Sequence, residues 1–280
     1  MTPFCTDSAR RLTASLLALL ALLGLTAAAP ASAHDSWLQP VPRGATAGLL
    51  LLGTGNRFPV FDVGIDAHYL VKPGCADTAG KRQPLDAVRN LPNSLLMRAG
   101  AAAESCWLQL SPFDVTVPAD KVPVYLDEVR PPPALLAAWA GMQARGRPWQ
   151  ERYTKHARIA LPGPAGDIGP AAAQPAPLGM DMLLAEVKAD AAAGPQAQTQ
   201  LQLQLQVLRD GQPLPALAVE LVNADQPMPG TWLQTDAAGR ITLPRPAAGR
   251  WLLRAVDLRL AADPPDSWES RFVTLSFSLR

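Results

Sequence analysis

Residues 201–207 read LQLQLQV, apolar and polar side chains in strict alternation. In an extended strand that period of two puts leucine on one face and glutamine on the other. Wound as a helix, the same residues would scatter leucine around the whole circumference. The stretch therefore predicts a half-buried antiparallel strand. Its surroundings point the same way. The 29 prolines punctuate short apolar runs rather than long periodic ones, a pattern of strands and turns. The turn RDGQP is followed by LAVELV (217–222), by TWLQTDAAGRITLP with a turn at 236–239, by GRWLLRAVDL, and by SRFVTLSFSL (270–279). Residues 178–280 are expected to form a small β-sandwich.

Residues 34–161 are expected to be a second β-rich domain. Residues 49–52, HYLV at 68–71, 106–110 and VPVYLDEV at 122–129 read as strands. Three prolines at 131–133 break the pattern. ALLAAWAGMQARG (134–146) then reads as a helix, rich in alanine and leucine and ended by glycine. WQERYTKHARIAL (149–161) reads as helix at first and strand near its end, which gives a helical segment over 134–156. The Pro/Gly/Ala-rich stretch 162–177 reads as a linker. The expected class is mainly β: two β-sandwich domains, Ig-like or transthyretin-like, with one or two helices between them.

Residues 1–33 read as an export signal. Arg10 and Arg11 precede an uncharged apolar run over 12–28, and Ala31-Ser32-Ala33 is a small-x-small cleavage site. Cleavage after Ala33 makes the mature chain periplasmic or secreted, with no later stretch long and apolar enough to anchor it in a bilayer. The signal takes Arg10, Arg11 and Asp7 out of 25 basic and 24 acidic residues, leaving equal numbers of each. A chain without net charge is a poor match for nucleic acid. Of the 3 cysteines, Cys5 leaves with the signal. In an oxidising compartment Cys75 and Cys106 most simply form a disulfide, stabilising the fold by roughly 3–4 kcal/mol. A metal–thiolate pair or a redox couple is the alternative, although C-x-x-C spacing is missing.

AHDSWLQP at the new N-terminus, GNRFP (55–59), PVYLDEVRPP (123–132), RPWQERYTKHARIAL (147–161), TDAAGRITLPRPAAGRWLLRAVDL and WESRFVTLSFSL together resemble a bacterial exported family known as a domain of unknown function. Its members are commonly described as periplasmic components of cobalt or nickel uptake. The resemblance implies a metal ion as ligand and a membrane metal-uptake transporter as partner. The second half alone is similar to transthyretin-like and carboxypeptidase-regulatory-like β-sandwich modules.

The chemistry starts at the cleavage site. Cutting after Ala33 frees the α-amine of His34, which can then chelate one ion together with its own imidazole. An amine pKa of about 8 lets a metal displace the proton near neutrality. Two nitrogens suit nickel, cobalt, copper and zinc, with copper the strongest. The 3 histidines all lie beyond the signal, so His68 and His156 are the candidate further ligands. Asp35, Asp66 and Glu151 are candidate oxygen donors or hydrogen-bond partners of the ligands. The competing roles are ordinary ones: an accidental terminal residue for His34, strand packing for His68, a solvated charged face for His156. No G-x-S-x-G, H-E-x-x-H, phosphate-cradling loop or dinucleotide fingerprint is present, so binding is expected before catalysis. An N-terminal histidine with a second histidine is also how copper-dependent polysaccharide monooxygenases hold copper. That enzyme class and a metal-free envelope binding module are the alternative functions.

Overall fold

The alternation at 201–207 is realised from Leu203 onward, Leu201 at the strand's start being exposed. Leu203, Leu205 and Val207 are buried, and the glutamines between them lie half-exposed. The computed structural model describes residues 34–41, 48–163, 166–188 and 201–280; the expected signal segment and its cleavage residue Ala33 lie outside the described residues.

In chain order the elements are β1 (Asp35–Pro40), β2 (Leu49–Gly55), β3 (Val63–Gly64), β4 (Leu70–Ala76), β5 (Arg82–Gln83), β6 (Leu85–Asn90), β7 (Leu95–Ala99), β8 (Ser105–Leu110) and β9 (Phe113–Val117). Two helices follow, α1 (Val122–Val129) and α2 (Pro133–Ala144). Then come β10 (Trp149–Ala160), β11 (Met180–Lys188), β12 (Leu201–Arg209), β13 (Gln212–Pro213), β14 (Ala218–Asn223), β15 (Thr231–Gln234), β16 (Arg240–Pro244), β17 (Gly249–Leu260) and β18 (Trp268–Leu279). The fold is mainly β, as the alternation predicts.

Among the described residues the strands form three sheets. A central nine-stranded sheet has the order β15-β14-β17-β18-β10-β8-β4-β5, with β9 also on β10. A five-stranded sheet runs β1-β2-β7-β6, with β3 on β2, and a four-stranded sheet joins β11, β13 and β16 to β12. The β12–β13 hairpin turns on Asp210 and Gly211, both at positive φ (50° and 76°), the backbone that an Asp-Gly two-residue turn requires.

Strand β10 organises the molecule. It runs parallel to β18 from Glu151–Trp268 to Ile159–Ser276. Its other edge pairs antiparallel with β9 and then with β8. The two halves of the sequence therefore share one sheet. Alternate residues of β10 serve opposite faces. Ala157 and Ile159 enter a core with Leu38, Leu52, Leu95 and Met97 from the five-stranded sheet. Ala160 joins Val273, Leu275, Met182 and Leu205 on the side of the four-stranded sheet. The two α-helices press Tyr125, Trp139 and Met142 onto Trp149, Trp268 and Phe272.

Several sequence expectations need correction. VPVYLDEV is helix α1, not a strand: Val122, Tyr125 and Val129 are buried at helical spacing, Pro123 sits in the first turn where its missing N–H costs nothing, and Arg130 closes the end in a left-handed conformation. The helix expected to reach 156 stops at Ala144, because 149–160 is strand throughout, with pairing partners on both edges. His68 is not in a strand but in a single 3-10 turn, Ala67–Tyr69. The stretch 162–177 contains a second such turn, Pro170–Ala173, in which Ala171 and Ala172 are wholly buried.

Cys75 and Cys106 face each other across β4 and β8 and form the expected disulfide. Among the described residues no helix is long and apolar enough to cross a membrane.

Candidate functional site

His34 immediately precedes β1, and the β1–β2 register that pairs Asp35 with Gly55 brings it beside Asn56. The Asn56 side-chain amide nitrogen lies 3.0 Å from His34 Nε2. The His34 carbonyl accepts a 2.6 Å hydrogen bond from Lys155 Nζ. Lys155 is buried on β10, its ammonium 5.5 Å from the Tyr153 ring centroid and 5.9 Å from that of Phe272. Burial lowers its pKa to about 8, opposed in part by the charge of Asp35. Asp35 is committed elsewhere: its carboxylate accepts from Arg254 Nη1 at 2.7 Å, and Arg254 also binds Glu220. These two carboxylates hold the guanidinium pKa above its usual value although burial opposes them. Asp35 thus fixes β1 to the central sheet.

His68 is built differently. Asp66 caps its 3-10 turn, accepting from the His68 backbone N–H at 3.0 Å and from ring Nδ1 at 2.8 Å, while Asn90 donates to its other oxygen at 3.1 Å. These donors, the backbone N–H first, pull the Asp66 pKa down. A ring that gives its Nδ1 proton to a carboxylate keeps Nε2 as the lone pair, the tautomer of many metal-bound histidines. The exposed ring lies against Tyr69 (3.8 Å between centroids). Tyr69 lies against Phe113 (5.0 Å) and Phe113 against Tyr153 (5.4 Å). Tyr153 and Lys155, two apart on β10, share a face. His34 and His68 therefore flank one row of side chains on the same side of the central sheet.

His156, next to Lys155, points to the opposite face. It is 1% exposed, and Nδ1 donates to the Phe272 carbonyl at 2.9 Å. Burial lowers its pKa to about 4. The sheet separates it from His34. Glu151 is buried with three donors, Tyr125 Oη at 2.8 Å, Trp149 Nε1 at 2.7 Å and Ser270 Oγ, which makes it a packing carboxylate beneath the helices. Burial, followed by the Glu151 charge, drives the Tyr125 pKa well up. Among the described residues no group of three or more His, Cys, Asp or Glu side chains is placed to hold a metal.

Asn56 and Arg254 are not singled out by the sequence, and Lys155 counts there only toward the solvated charged face expected around His156, at helix-pair spacing from Glu151. Lys155 had a signal: read as strand, YTKHARIA places it in line with Tyr153, Ala157 and Ile159, a lone cation on an apolar face.

His156 sets an acid limit on stability. Its unfolded pKa is about 6.5, so between that value and the folded value of about 4 the unfolded chain binds more protons. Stability should fall as pH drops through that window. Denaturant unfolding at stepped pH should show the slope, and His156→Asn, which keeps a donor for Phe272, should flatten it.

No protein-family model, curated protein or solved structure matches the chain.

Proposed function

We propose that the chain, cut after Ala33, is an exported protein that binds one divalent transition-metal ion, nickel, cobalt or copper. The ligands are the freed α-amine and Nδ1 of His34. The observation that carries this reading is the anchoring of His34. Its carbonyl is held by a buried lysine and its Nε2 faces Asn56, so a residue that would otherwise fray is oriented with Nδ1 left over. When Nδ1 binds a metal, the ring proton sits on Nε2, and Asn56 presents its amide oxygen after a half-turn of its side chain. His68, beyond the row of Tyr69, Phe113, Tyr153 and Lys155, and His156, behind the sheet, have no place in this donor set. Nitrogen donors without thiolate match nickel, cobalt and copper. Delivery to a membrane metal-uptake system follows from the motif resemblance.

Calorimetric titration with each metal tests the proposal. Protein beginning at His34 should bind at least about 100-fold more tightly than protein carrying one extra N-terminal alanine, which turns the amine into an amide. Asp66→Ala should leave the affinity unchanged, because the histidine it orients stands beyond the row of rings from His34. Equal affinity with and without the extra alanine would remove the amine from the site.

A further inference from the structure

The face of the central sheet that carries His156 has an open groove of about 740 Å³, independent of the metal reading. The groove runs along β10, whose Gln150, Arg152, Thr154 and His156 all line it. Four alternate residues at about 3.3 Å per residue make a floor roughly 20 Å long, the span of about six extended residues of another chain. Most charges along it are neutralised locally. Arg152 meets Asp114 at 3.3 Å, and Arg271 is held by Asp210 at 2.7 Å.

Two are not. At the His156 end stands Lys72, which has no ion pair among the described residues. Its backbone is at φ 52°, within the irregularity that shifts the β4–β8 register between Val71 and Gly74. A bulge of this kind re-aims a side chain, and a non-glycine residue held at positive φ is a strain that surrounding structure must impose. The register places it beside the floor: Val71 pairs with Gln109, and Gln109 pairs with His156. At the other end, between β17 and β18, the exposed Asp263 lines the groove and likewise has no ion pair among the described residues.

We infer that this groove binds a short extended peptide with free ends, its C-terminal carboxylate on Lys72 and its N-terminal ammonium on Asp263. One exposed unneutralised cation and one exposed unneutralised anion, at opposite ends of the floor, match a zwitterionic chain. Between them, the amides and hydroxyls of Gln109, Gln150, Thr154 and Ser267 can meet its backbone groups.

The test uses the processed protein without added metal and a hexapeptide of alternating alanine and serine, followed by calorimetry. The free hexapeptide should bind saturably. C-terminal amidation and N-terminal acetylation should each weaken it about fivefold, the scale of a partly exposed ion pair. Lys72→Met should abolish the penalty for amidation alone, and Asp263→Asn the penalty for acetylation alone. Both residues are at the surface, so neither variant threatens the fold. Absence of saturable binding, equal binding of a peptide blocked at both ends, or full discrimination retained in Lys72→Met would each overturn the inference.

Discussion

Arg158→Ala should lower the unfolding free energy by about 3–5 kcal/mol. The guanidinium of Arg158 is 0% exposed and fully used. Nε donates to Ser105 Oγ at 3.0 Å, Nη1 to both oxygens of Asp181 at 3.0 and 2.9 Å, and Nη2 to the carbonyls of Ala171 and Gln174 at 2.9 and 2.8 Å. One side chain thus ties β8, the turn after β10 and β11 together. Truncation strands a buried carboxylate and two carbonyls, and the desolvation cost of Asp181 is no longer offset. Burial already raises the Asp181 pKa above 3.8 even with Arg158 beside it. An acid whose folded pKa is raised binds more protons folded than unfolded, so its contribution to stability declines as pH rises above the unfolded value. Without Arg158 the folded pKa rises further. The deficit should therefore be largest at neutral pH and narrow as pH falls toward 4. Urea unfolding at several pH values reads both effects. The double variant Arg158→Met with Asp181→Leu should recover part of the loss, because it removes the stranded charge. A deficit below about 1 kcal/mol at pH 7 would mean that solvent reaches Asp181 once the arginine is gone.

Arg254→Ala should be comparably destabilising, by about 3–5 kcal/mol, and should also be felt at His34. Arg254 sits between two carboxylates that are nearly closed to solvent, Asp35 at 8% and Glu220 at 2% side-chain exposure. Glu220 has one further donor, the Gly230 N–H at 3.1 Å. Losing the cation leaves two buried like charges. Lysine is a poor replacement, since one ammonium does not reproduce a fork that reaches Asp35 with Nη1 and Glu220 with Nε. Because Asp35 is the first residue of β1, its release loosens the neighbour on which metal binding is proposed to depend. Affinity in the folded fraction should fall about tenfold, the usual scale for residues that support a ligand. Unchanged affinity would show that Lys155 and Asn56 alone hold His34.

Much of the local architecture is legible in the residues. LQLQLQV could only be a strand with a leucine face, and the Asp-Gly turn after it follows from its dipeptide. VPVYLDEV is the instructive failure. Val122, Tyr125 and Val129 suit a helix, while the alternation of the same eight residues suits a strand. Packing against Trp149 and Trp268 decides between them. WQERYTKHARIAL fails for a related reason: its partners on β18 lie more than a hundred residues away, and no local preference reports them.

The same division governs the candidate site. By itself the sequence determined the strand-rich class and the pairing of Cys75 with Cys106, because short-range periodicity and cysteine count carry them. Only the tertiary structure decided that His34 and His68 share a face, that His156 lies behind the sheet, and that Asp35 belongs to Arg254. Successive residues of a strand face opposite ways, but what waits on each side is set by chain that arrives from far along the sequence.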